Sequence, residues 1–162
     1  MSDEISAAQV REMIDEDHDL VGSVEIMDDS ESEFNFLIDM YNKNHVLHVA
    51  KEDHLDFIRI VAVLPIPPDL LSKLIDMRRE RTELHMHLMH VLTNTPGYFD
   101  YKDENREPTT FENMKEIQLF DLIYPEELDR PRLMSGVTNI AGSVAFVRNA
   151  FLTFEENTQS QT

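Results

Sequence analysis

Glu83, His87 and His90 fall at i, i+4 and i+7 within Glu-Leu-His-Met-His-Leu-Met-His. On a helix that spacing sets three potential metal ligands along one face, with Glu80 beside them as a possible base. Neutral imidazole and carboxylate form a reasonable zinc set, and a metal so held would make the chain a small metal-dependent enzyme. His85 points away from the group. The competing account is the solvated side of an amphipathic helix, because catalytic zinc needs a defined ligand shell and a supporting one.

Arg81 lies in the same segment, in the middle of an otherwise apolar stripe. A guanidinium there must find an anion, reach water along its stem, or carry a large desolvation penalty. It therefore predicts either a buried ion pair or an anchor for a partner's carboxylate. Phe34, Phe36, Phe146 and Leu152 are the apolar counterparts. Large side chains on both faces of one strand and two faces of the last helix exceed what one core layer needs, which predicts either a thicker core or a surface for self-association or a protein partner.

These groups must be carried by a definite set of elements. Ser6 and Gln9 make a capping box for a first helix over residues 6 to 17. Leu20 to Met27 has β-branched character, and Phe34, Phe36, Ile38 and Met40 alternate with Asn35, Leu37, Asp39 and Tyr41, the period of a strand. Asn42-Lys43-Asn44 reads as a compact turn into a strand at His45 to Ala50. Phe57 to Leu64 is apolar almost throughout, as in a strand covered on both faces. Pro67-Pro68-Asp69 starts a helix expected to run unbroken to about Leu92, with Leu70, Leu74, Met77, Arg81, Leu84, Leu88 and Val91 along one side. Two further strands, at Tyr98 to Tyr101 and Met114 to Ile123, precede a last helix capped by Asp129. The expected order is α-β-β-β-α-β-β-α. Its segregated strands argue for an α+β fold in which helices pack on an antiparallel sheet of about five strands. One domain over residues 1–154 and a polar, disordered tail over 155–162 complete the expectation.

Composition narrows the function classes. The chain has 162 residues, with 14 Lys and Arg against 32 Asp and Glu, giving a formal charge of −18. Such a surface repels phosphates, so neither nucleic acid nor membrane is expected as a partner. Only five of the basic residues are Lys, a balance that also fits a protein kept soluble at high salt. The absence of Cys removes disulfides and thiolate chemistry and fits a reducing cytoplasm. With four Gly, no phosphate-binding loop or nucleophile elbow is present. No cofactor is called for, and no apolar run is long enough to cross a bilayer.

The element order, size and acidity resemble the fold of type III secretion chaperones. The runs Ser-Glu-Phe-Asn-Phe ending at Phe36, Arg-Arg-Glu-Arg ending at Arg81, and Leu-Ile-Tyr-Pro-Glu-Glu-Leu over residues 122 to 128 resemble an uncharacterised archaeal family. That likeness covers residues 6 to 154 and lends no activity. The chaperone likeness implies a homodimer that holds segments of other proteins on its surface, an analogy of fold that does not by itself fix function.

Overall fold

The computed structural model describes residues 4–15, 19–40 and 45–160. The expected turn at Asn42-Lys43-Asn44, Tyr41, the end of the first predicted helix beyond Asp15, and the last two tail residues lie outside them. In chain order the elements are α1 (Ala7–Asp15), β1 (Val21–Ile26), β2 (Ser32–Met40), β3 (His45–Glu52), β4 (Ile58–Pro65), α2 (Pro68–Asp76), α3 (Arg78–Leu92), β5 (Tyr98–Lys102), β6 (Glu116–Ile123) and α4 (Arg130–Gln159). Short 3-10 turns at Phe111–Asn113 and Pro125–Glu127 flank β6.

The sheet has six strands in the order β1-β2-β3-β4-β6-β5, one more than expected. β1 to β4 pair antiparallel in sequence. Ile66 donates to the Lys115 carbonyl, and Lys115 to that of Lys102, which sets β6 antiparallel to both its neighbours. The added strand is β1, in which only Val21 and Val24 are half-buried and the other four residues are exposed, a spacing of three that gives no alternation to read. By its contacts the chain divides into two compact units, Met1–Ala62 with Phe120–Ala141, and Val63–Leu119 with Gly142–Thr162.

In the first unit the Ser6 hydroxyl accepts from the Gln9 amide at 3.2 Å, so Ser6 caps the helix as its place in the sequence predicts. The alternation of β2 is obeyed, with Phe34, Phe36, Ile38 and Met40 all buried. Here the expectation of a large-side-chain surface is corrected: Phe34 is 6% and Phe36 3% exposed, and their rings stack at 5.2 Å inside the unit. α4 begins at an Asp129 carboxylate that accepts from the Arg132 amide at 2.7 Å. The Arg132 guanidinium holds Asp121 bidentately, at 2.7 and 3.1 Å, and also donates to the Leu122 carbonyl at 3.1 Å. This fork fastens the first turn of α4 to β6, and it is the most completely satisfied charge pair described in the unit.

In the second unit the long helix is two helices. Met77 leaves helical geometry at φ −107° and ψ 71°. The buried anchors fall in two groups, Leu70 and Leu74 on α2, then Leu84, Leu88 and Leu92 on α3. From Ile75 to Glu83 no side chain is buried, so nothing between the two groups holds a continuous helix against the core. The polar tail is also corrected: α4 continues to Gln159 because Phe151, Phe154 and Thr158 extend its buried stripe by steps of three and four. The Thr158 hydroxyl donates to the Glu155 carbonyl at 2.8 Å. β4 is covered on one face only, since Ile58, Ile60, Ala62 and Leu64 are buried while Val63 stands 40% exposed.

Candidate functional site

α3 and α4 frame a groove of about 290 Å³ within the second unit. Glu80, Glu83 and His87 line one wall and Asn149, Thr153 and Asn157 the other, over a floor that includes Leu84 and Phe154. The sequence-predicted Glu and His residues thus do meet a cavity, but not as a metal set. Glu83 accepts from the Arg79 side chain at 3.1 Å, and the His87 ring tilts against Phe146 at 5.1 Å. His90 is exposed and does not line the groove. Seven residues of helix separate Glu83 from His90 by roughly 10 Å along the axis, whereas zinc bonds are about 2 Å long. Among the described residues no group of three or more His, Asp or Glu is placed to hold a metal ion. The Glu83, His87 and His90 metal site, with Glu80 as base, is therefore corrected to a helix face that borders a groove.

Arg81 is half-buried, and its guanidinium donates to the Leu74 carbonyl at 3.4 Å, bridging the break between α2 and α3. Its charge also acts on the Glu112 carboxyl, which is held below its ordinary value first by a main-chain hydrogen bond. The buried ion pair is thus corrected to a side chain that reaches partly to water. Beside it the His85 ring lies flat on Phe111 at 4.3 Å, with Tyr101 edge-on to both. Burial, reinforced by Glu112, pushes the Tyr101 hydroxyl up to about 12.

A second groove, of about 410 Å³, opens on the other side of α4. Its walls are the end of β4 and the lead into α2 (Val63, Pro65, Pro67) and the α4 residues Phe151 and Leu152. Leu152 is 54% exposed, a large apolar side chain standing in solvent beside exposed Val63. Among the described residues, the charged groups lining it are Arg148 and Glu155. Of the four apolar residues singled out from the sequence, then, Leu152 is at the surface, Phe146 is half-buried on the α3 side of α4, and Phe34 and Phe36 are interior. Val63 was missed because its run is apolar on every side, which hides the face that the sheet leaves open.

The first unit has its own polar features. Lys51 is buried and paired with Glu33 beside a cavity of about 590 Å³ bordered by Glu4, Asp56 and Glu126. His48 donates through Nδ1 to the Asn35 side-chain oxygen at 2.9 Å, and Asn35 donates to Asp29 at 3.2 Å. Desolvation lowers the His48 imidazole below its usual range, with the Asp29 charge opposing. The Ser32 hydroxyl above all, with the Glu31 amide and Asn35, holds the Asp29 carboxyl below its own.

The class defined so far is an acidic α+β protein with a six-stranded sheet and grooves on two sides of its last helix. Residues 8–151 match the family model described as an uncharacterized conserved protein, DUF2299, and the chain belongs to that family. The fold is similar to that in the crystal structure of an uncharacterized protein from Methanothermobacter thermautotrophicus, at a TM-score of 0.72 and 16% identity over 94% of this chain and 99% of that one. At that identity the likeness concerns fold. No curated protein matches the chain. Among the described residues no helix is long and apolar enough to cross a membrane.

Proposed function

We propose that the protein is a non-catalytic, cytoplasmic protein-binding module that acts by contact, in the manner its resemblance to secretion chaperones implies. The groove between the end of β4, the start of α2 and the last third of α4 is its docking surface. One observation carries this reading: Leu152 projects 54% exposed beside a lining that is apolar except for Arg148 and Glu155. Fully burying a leucine contributes roughly 1.5–3 kcal/mol, and about half of that remains to be gained at Leu152, which makes such a site worth filling by another protein surface. The α3–α4 groove carries more charged and polar side chains in its lining, among them Glu80, Glu83, His87 and Asn157.

The test is a photo-crosslinking residue placed at Leu152, with Ile75 on α2, which is more exposed still, as control. The expected result is a discrete protein adduct from position 152 that is absent from position 75. Adducts to no protein, or the same pattern from both positions, would end the reading.

A further inference from the structure

Six consecutive residues of α3, His85-Met86-His87-Leu88-Met89-His90, hold two methionines and three histidines. Leu88 is buried, the His85 ring is stacked on Phe111, and the His87 ring is turned to Phe146 on the groove side. The remaining three face outward. Met86 is 68% and Met89 37% exposed, and His90 beside them is exposed as well. Methionine is among the side chains most often buried, and Met40, Met114 and Met134 follow that rule here. Two exposed thioethers on a helix anchored by Leu84, Leu88 and Leu92 depart from it, and packing gives no reason for them.

Helical spacing gathers the three into one patch. Met86 stands three residues before Met89 and four before His90, so it neighbours both, with β-carbons roughly 5–6 Å apart. An ion resting on Met86 is therefore within reach of either. The Tyr101 hydroxyl donates to Met89 Sδ at 3.7 Å, which holds that sulfur at the surface and leaves it a second lone pair. Thioether and imidazole are soft and intermediate donors that select copper(I), whereas magnesium and calcium ask for oxygen. The chain has nine Met and no Cys, so thioether is its only soft sulfur donor. Copper(I) is satisfied at a low coordination number, which one helix face can supply, while a tetrahedral zinc shell cannot be closed from one face. The formal charge of −18 raises the concentration of any cation near the surface. We propose that Met86, Met89 and His90 form a surface site for copper(I), in which Met86 and His90 are the central pair and Met89 the third ligand. The site lies outside the Leu152 groove and does not depend on the docking reading.

Anaerobic titration of the full chain with copper(I) against the chromogenic chelator bicinchoninate reads the affinity, and NMR of the methionine methyl groups reads the ligands. The expected result is uptake of a single copper(I) per chain, with the Met86 and Met89 methyl signals shifting and those of Met27 and Met40 unmoved. Met86→Leu and His90→Gln should each weaken binding at least about tenfold. Met27→Leu, which removes a thioether 38% exposed on another part of the chain, should leave it unchanged. Leucine conserves the volume of methionine and both ligand positions are exposed, so the variants keep their fold, which circular dichroism checks. Zinc(II) at equal concentration should not displace the copper(I). No uptake of copper(I) at any ratio, an affinity indifferent to Met86→Leu, methyl shifts that spare Met86, or displacement by equal zinc(II) would each overturn the site.

Discussion

Two glycines of α4 make opposite predictions for the same substitution. A β-carbon at Gly136 would lie 2.6 Å from Ile60 Cδ1, 2.8 Å from Asp121 Oδ2 and 3.2 Å from Arg132 Nη1, while one at Gly142 would meet nothing within 4 Å. Alanine is favoured over glycine inside a helix by about 1 kcal/mol. At Gly142 that preference stands alone, so Gly142→Ala should raise stability by ~0.5–1 kcal/mol. At Gly136 it is opposed by overpacking, typically 1–3 kcal/mol, and by displacement of a carboxylate that Arg132 grips with two hydrogen bonds, worth roughly 1.5–3 kcal/mol when bonds to charged groups are lost. The net expectation for Gly136→Ala is a loss of about 2 kcal/mol. Urea titration followed by circular dichroism reads both, with equal slopes confirming that the unfolding transition is unchanged in kind. Ile60→Val removes the closest atom, so in that background Gly136→Ala should cost at least ~0.5 kcal/mol less than in the wild type. Gly136→Ala as stable as the wild type, or both glycine variants shifting in the same direction, would refute the close approach of α4 to Ile60 and Asp121.

Three further outcomes follow from the charges. His48 is lowered in the fold from its ordinary 6.5, so its contribution is present above 6.5 and is lost as pH falls toward the folded value. His48→Gln should flatten the stability profile as pH falls below 6.5, and an unchanged slope would clear His48 of the effect. Tyr101 is raised from 10.0 to about 12, so its contribution is present below 10 and is lost as pH rises toward 12. Tyr101→Phe should therefore lose less stability than the wild type over that alkaline range, measured by thermal melts. Finally, with a formal charge of −18 the folded chain should melt at higher temperature as salt screens its self-repulsion. A melting temperature flat from low to molar salt would contradict this.

The parts of the fold that were legible in the sequence are those set by local chemistry. Ser6 and Asp129 cap the helices they precede, Pro68 opens α2, and the alternation from Phe34 to Met40 fixes which side of β2 is interior. What was not legible depends on distant partners. Periodicity runs smoothly through Met77, so nothing local distinguishes one helix from two anchored separately at Leu74 and Leu84. The end of α4 looked like a tail because Glu155 to Thr162 is polar, yet a single threonine in register with Phe151 and Phe154 keeps the stripe buried. The Glu83, His87 and His90 pattern shows how far helical spacing goes: it put two of the three on a groove, but a tetrahedral zinc shell needs convergence from more than one element. Leu152 was identified as surplus apolar area, whereas its neighbour Val63 was hidden by a run that reads as interior on both faces.

That pairing of exposed Val63 on β4 with exposed Leu152 on α4, flanked by Arg148 and Glu155, is why the groove between them carries the binding reading. Were the acidity only a solubilising coat, carboxylates would be expected on α4 as on the rest of the surface, since nothing in helix propensity disfavours Glu there. Instead the exposed positions from Asn149 to Ser160 are filled by amides and hydroxyls, with Leu152 among them and Glu156 as the exception. Amides and hydroxyls keep a free helix hydrated, yet they avoid the like-charge repulsion that opposing carboxylates would bring to a contact. The same substitution pattern would be pointless on a face that met only water. Leu152→Glu thus separates the two accounts: the position is 54% exposed, so folding should be nearly indifferent, whereas a contact built around Leu152 and the groove it lines should weaken.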